Sequence, residues 1–292
     1  MLKQRVITAV LLLPLVACLL FLPDLLTFSA ILVPIFGILA WEWSRLLQTN
    51  AAIQSAFIVL VLAAIGGLFY QLNLQNFFSD TSLPLLWYDV YPFKLLAVAL
   101  LVWIVASILV LLYPKLSNVL FRGPWLRAVF GIVILAAAWL AIVVIRSLLI
   151  QVDHNLGAWM LLLMLLIIWG ADVGAYFAGK SLGKTKLAPV VSPNKTWEGA
   201  IGGLVLAVIV GVTVASLLSL NLDWLKFSVF VVIMVILSVF GDLFESMLKR
   251  QADIKDSSNI LPGHGGLLDR LDSTLSVAPF FVAGVLWLEL LG

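Results

Sequence analysis

Two polar stretches interrupt an otherwise apolar chain, and both hold residues suited to phosphate or a hard cation. In one, Asp242 and Glu245 precede Lys249 and Arg250, and Lys255, Asp256, Gly263, His264, Gly265, Gly266, Asp269, Arg270 and Asp272 follow. Residues three apart share a helix face, so Asp242 with Glu245, and Asp269 with Asp272, each present neighbouring carboxylates. A helix, a loop and a second helix in succession form a hairpin able to bring Asp242 close to Asp269 and Asp272. Hard oxygen donors without a cysteine or histidine cluster suit Mg²⁺, which keeps several waters and shares its shell with substrate phosphates. The alternative is that these acids pair with Lys249, Arg250 and Arg270 to order the loop, or cap the last helix.

The loop itself has features of an anion site. Its glycines let backbone approach a ligand and turn successive amides towards it, and Lys249, Arg250, Lys255 and Arg270 offer countercharge. It is not a Walker loop, since no Gly-Lys-Ser/Thr opens a helix. His264, flanked by glycines, fits a proton-transfer group, a phosphate donor or a loop-ordering hydrogen bond. The other polar stretch begins with Asp172 in the last turns of an apolar helix, where an acid is a poor lipid neighbour. Lys180, Lys184, Lys186, Ser192, Asn194, Lys195, Thr196 and Glu198 follow. Lysines among hydroxyls and glycines suit a polyphosphate, with Trp197 or Tyr176 to meet a base. The alternative is that they mark the cytoplasmic side and touch anionic headgroups.

These residues must be positioned by membrane helices. Of 292 residues, 63% are hydrophobic and 11% charged, with a mean hydropathy of +1.17. A water-soluble domain needs more polar surface than that. Apolar runs predict an all-α, polytopic transmembrane bundle of about nine spans, near 6–22, 25–43, 52–72, 93–113, 126–150, 158–177, 199–220, 227–247 and 274–291. Trp87, Tyr88 and Tyr91 suit a further interfacial helix within 73–92. A cytoplasmic amino terminus leaves only Lys94, Arg146 and Lys226 on the far side, as the positive-inside rule requires. Leu15 to Cys18 resembles a lipoprotein cleavage site, but the apolar run continues through Leu22, so the segment reads as the first span. The single cysteine excludes a disulfide framework, and a net charge of +2 gives no sign of nucleic acid. Residues 1–292 read as one integral-membrane domain, with 1–150 mainly scaffold and lipid contact and 158–292 carrying the chemistry. The polar groups gather at one face without an internal repeat, unlike the midplane sites of secondary transporters.

Ser246, Lys249, Arg250, Lys255, Asp256, Ser257, Ser258, Leu261 to Gly266 and Asp269 to Ser273 together resemble the signature of phosphatidate cytidylyltransferases, also called CDP-diacylglycerol synthases. The stretch from Asp172 to Gly199, with Ser192, Asn194, Lys195, Thr196 and Glu198, is similar to that family's second characteristic segment. The resemblance implies a dimeric inner-membrane or endomembrane enzyme that joins CTP to phosphatidic acid, with a cytoplasmic-face site. It implies dependence on Mg²⁺, held by Asp242, Asp269 and Asp272, with a second cation left open. Lys255, Asp256, His264 and Arg270 are then expected in catalysis. Substrate contacts are expected from Asp172, Lys184, Lys186, Ser192, Asn194, Lys195, Thr196, Glu198, Ser246, Lys249, Arg250, Gly265 and Gly266. A different membrane lipid phosphate or polyprenol is the rival substrate, because the acyl-facing residues are generic.

Overall fold

The computed structural model describes residues 13–74, 91–148, 155–220, 222–261, 263 and 265–288. Residues 13–21 form helical α1. There follow α2 (Leu25–Leu46), α3 (Ala51–Leu74), α4 (Tyr91–Leu111), α5 (Lys115–Leu120), α6 (Pro124–Ser147) and α7 (Leu156–Leu182). A hairpin of β1 (Lys186–Ala188) and β2 (Ser192–Thr196) leads to α8 (Trp197–Leu217), α9 (Trp224–Gln251) and α10 (Leu268–Trp287).

Among the described residues, seven helices are long and apolar enough to cross a membrane, namely α2, α3, α4, α6, α7, α8 and α9. The protein is therefore an all-α, polytopic membrane protein. Two of the nine expected spans are not in that set. The first lies partly outside the described residues, and the last, α10, carries Asp269, Arg270 and Asp272 on its opening turns. Most of the expected interfacial segment also lies outside the described residues. The small hairpin and α5 are absent from the pattern of apolar runs, since neither is long enough to leave a hydropathy signal.

Helix α6 is the centre of the bundle, packing on α2, α3, α4, α7 and α10. Its residues from Ile134 to Leu140 are almost wholly buried, and Trp139 donates towards the Ser29 carbonyl of α2. Large side chains such as Leu101 on α4 and Ile201, Val205 and Ile209 on α8 face outwards, as a lipid-contacting surface requires. The α7–α8 pair is the closest-packed. Gly199, Gly203, Ala207, Gly211 and Ala215 recur every fourth residue on the buried stripe of α8, and small residues let membrane helices approach closely.

Two arginines satisfy helix ends. Arg127 donates to the carbonyls of Phe121 (3.0 Å) and Leu46 (2.8 Å), closing α2 against α6. Arg146 donates to the Leu20 carbonyl (3.0 Å) at the opposite end. Both are buried, and their donors meet carbonyls that no intrahelical amide reaches.

A Cβ at Gly174 would stand 2.5 Å from the Gly202 carbonyl and 2.9 Å from Leu206 Cβ. Gly174→Val is expected to force α7 from α8 at a cost of about 1–3 kcal/mol. Thermal unfolding in detergent should show a midpoint lower by several degrees. Gly123→Ala, where a Cβ meets nothing within 4 Å, should leave it unchanged.

Candidate active site

The polar residues of both stretches meet at one end of the bundle. Asp172 comes from α7, Lys195 from β2, Asp242 from α9, and Asp269, Arg270 and Asp272 from the first turns of α10. Helix α9 continues through Gln251, so Glu245, Lys249 and Arg250 project from helix rather than loop. A polar cavity of about 320 Å³ is lined by Asp172, Asp242, Lys249, Asp256, Asp269, Arg270, Asp272 and Ser273. A second cavity, of about 510 Å³, shares Asp172, Asp242 and Ser273 and adds Tyr176, Lys180, Asn194 and Lys195.

Local folding explains these placements. Thr196 caps α8 by accepting from the Gly199 amide at 3.1 Å. Glu198 accepts from the Thr185 amide at 3.1 Å and so closes the hairpin. Arg250 donates to the Val191 carbonyl (3.4 Å), tying the hairpin tip to α9. Lys195 then reaches Asp242 at 2.7 Å, while Ser246 donates to the other oxygen of Asp242 at 3.2 Å. Thr196, Glu198, Ser246 and Arg250 thus hold the frame. Ser192, Lys184, Lys186 and Lys255 line neither cavity, and the three lysines are exposed. His264 lies outside the described residues.

Asp269 is the most heavily bonded carboxylate of the site. Its Oδ1 accepts from Lys249 Nζ at 2.6 Å, and its Oδ2 from the Ser257 amide (3.0 Å), the Ser257 hydroxyl (3.1 Å) and the Gly266 amide (2.8 Å). Burial pushes its acidity down, but the Lys249 and Gly266 hydrogen bonds outweigh this and hold the carboxyl below its ordinary pKa. Asp272, ahead of the apolar run of α10, is pushed up to about 7 by burial and then by the Asp242 carboxylate. Lys249 also pairs with buried Glu245 at 3.3 Å.

The donor set is one of hard oxygens facing a polar cavity, which matches Mg²⁺ in kind. Among the described residues, no three acidic, histidine or cysteine side chains converge on one point as an ion would require. Asp242 and Asp269 are instead each paired with a lysine. A cation here would gather its oxygens partly from water and from phosphate.

Sequence reasoning missed Glu42 and Arg45. Glu42 is fully buried and accepts from the Ser258 hydroxyl and from the Leu267 (2.9 Å) and Leu268 amides. Arg45 donates to the Ser257 carbonyl. An acid near the end of an apolar helix is the same signal that singled out Asp242. It went unread because Glu42 stands alone, far from the glycine loop.

An apolar groove of about 540 Å³ adjoins this polar end, running between α4, α8 and α9. It shares Leu187, Ala200, Val235 and Val239 with the second cavity, which in turn shares Asp172, Asp242 and Ser273 with the polar one. Polar and apolar compartments are therefore continuous through the second cavity.

Residues 3–288 match the model of the cytidylyltransferase family. The chain is 38% identical over 289 residues to a phosphatidate cytidylyltransferase of Pseudomonas aeruginosa, covering 98% of this chain and 97% of that protein. A phosphatidate cytidylyltransferase of Haemophilus influenzae is 36% identical over 287 residues, 96% of this chain and 97% of its own. One from Helicobacter pylori is 33% identical over 279 residues, 94% and 88% of the respective lengths.

The packing of the loop makes a specific demand. A Cβ at Gly266 would lie 2.0 Å from Ser257 Oγ and 2.6 Å from Glu42 Oε1. Gly266→Ala is expected to dislodge the turn, read as faster amide hydrogen exchange across 255–269 with α6 still protected.

Proposed function

The chain belongs to the cytidylyltransferase family, and from that premise we propose that it transfers CMP from CTP to phosphatidate, yielding CDP-diacylglycerol and pyrophosphate. The observation that carries this reading is the continuity from the polar cavity, through the second cavity, to the apolar groove. A substrate with a phosphate head and acyl tails needs both compartments at once. The near-full-length match to relatives named phosphatidate cytidylyltransferase supplies the identities of the two reactants.

In the proposed reaction a phosphatidate oxygen forms a bond to the α-phosphorus of CTP as the bond to pyrophosphate breaks. Phosphoryl-type transfers depend on positioning and on neutralising charge, with little covalent help from the protein. Phosphatidate is anionic near neutral pH, so its oxygen needs no general base. Lys195, Lys180 and Arg270, which line the two cavities, supply countercharge to the triphosphate. Lys249 keeps Asp269 in place through their 2.6 Å contact. Mg²⁺ would draw on Asp242, Asp269 and Asp272, with water and substrate phosphate completing its shell and the lysine partners of Asp242 and Asp269 giving way, and would supply Lewis-acid neutralisation of phosphate oxygens; the hard carboxylates lining the polar cavity support that assignment. Lys255, Asp256 and His264 complete the proposed set through the signature they belong to.

We further propose nine spans with a cytoplasmic amino terminus, which would put the site at the inner face of a bacterial inner membrane. The distribution of basic residues supports this, as does the clustering of Lys180, Lys195, Lys249 and Arg270 at one end. A homodimer is proposed on the resemblance.

Purified protein in liposomes with labelled CTP, phosphatidic acid and Mg²⁺ is expected to form lipid-linked CMP; its absence would sink the proposal. Asp269→Asn should abolish turnover with expression intact, and near-normal rates would remove that acid from the site. Leu204→Trp, which narrows the apolar groove, should raise KM for phosphatidate several-fold and leave KM for CTP unchanged.

A further inference from the structure

Glu42 lies in the half of the chain that composition assigns to scaffold, yet its carboxylate faces the turn that leads into α10. Its Oε1 accepts from the Ser258 hydroxyl and the Leu267 amide (2.9 Å), and its Oε2 from the Leu268 amide. Helix α10 has no capping side chain of its own, because Leu267 occupies the N-cap position. Buried amides at a helix start need an acceptor, and the helix dipole favours a negative one. Glu42 supplies it from a residue 225 positions away in sequence.

Arg45, one turn further along α2, donates to the Ser257 carbonyl. Ser257 in turn gives its amide (3.0 Å) and hydroxyl (3.1 Å) to Asp269. A continuous run of contacts therefore passes from α2 through 257–258 to the carboxylate that faces the cavity. Gly266 sits against both Ser257 and Glu42 with no space for a Cβ, so the turn has little freedom to shift.

We propose that Glu42 is a positioning residue for cytidylyl transfer: by capping α10 and holding the 257–258 turn, it sets the orientation of Asp269 towards the cavity. It touches no reacting atom. Its effect is geometric, and misplacing a catalytic group by about 1 Å costs on the order of 100-fold in rate. Both oxygens are needed as acceptors. Glu42→Gln preserves volume but replaces one oxygen with an NH₂ donor that faces another donor. The variant thus takes away one half of the cap and sets a donor against a donor there, while leaving the packing of α2 in place.

The inference rests on the cytidylyltransferase reading, so the unsubstituted protein is assayed in parallel. If that protein makes no lipid-linked CMP, the reading itself fails. With an active parent, Glu42→Gln is expected to lower kcat per folded molecule about 10- to 100-fold, with KM for CTP and phosphatidate within about 3-fold. Amide exchange at 267–269 should also accelerate. A purely structural role would reduce the yield of folded protein and its melting midpoint while kcat per folded molecule stayed parental; that result overturns the proposal. Should Glu42→Gln fail to fold, Ser258→Ala and Arg45→Lys are measured the same way. Reduced kcat at unchanged KM in either supports the positioning role, and parental kcat in both overturns it.

Discussion

A charge carried into an apolar bundle must be met by a partner, and that constraint organises this molecule. Removing one member of a buried ion pair costs about 3–5 kcal/mol, because the other is left uncompensated. Lys249 is the clearest case, standing between Glu245 and Asp269. Arg127 and Arg146 meet the same constraint with carbonyl oxygens at buried helix ends. Glu42 answers it with amides. Several of these contacts join separate segments, Lys249 to Asp269, Arg127 to the Leu46 carbonyl, Arg146 to the Leu20 carbonyl and Glu42 to the start of α10, so meeting the constraint also fixes which helices adjoin.

The site is consequently held from several directions. The hairpin is fastened to α9 through Arg250 and the Val191 carbonyl, and its Lys195 reaches Asp242. The loop before α10 is fastened to α2 through Arg45 and Glu42. Neither segment is anchored by apolar burial alone, which suits polar surfaces that must stay open to small charged reactants. The closely packed α7–α8 pair places Asp172 beside this assembly on a rigid support.

Much of this was legible in residue types. Apolar runs located the seven long helices, because lipid contact imposes length and hydropathy directly. Asp172, Asp242, Asp269 and Asp272, chosen as acids out of place in or beside a span, and Lys195 and Arg270, chosen as countercharge for phosphate, line the two cavities. Roles within the cluster were less legible. Arg250 and Thr196 look like phosphate contacts by type but bond to backbone, as does Glu198, expected among the substrate contacts. Nothing in local spacing distinguishes a side chain that binds a ligand from one that braces a turn. Glu42 and Arg45 were invisible for another reason: their partners lie more than 200 residues away, and periodicity carries no information at that range.

The Lys195–Asp242 pair gives the resting site internal counterions. An open cavity lined by bare carboxylates would repel a triphosphate and strain the surrounding helices. On the proposed reading, arrival of a polyanion would be an exchange of ionic partners, with Lys195 turning from carboxylate to phosphate and Asp242 becoming available to a cation. The site would then work as an ion exchanger whose resin is built into the fold, loaded with its own salt until substrate replaces it.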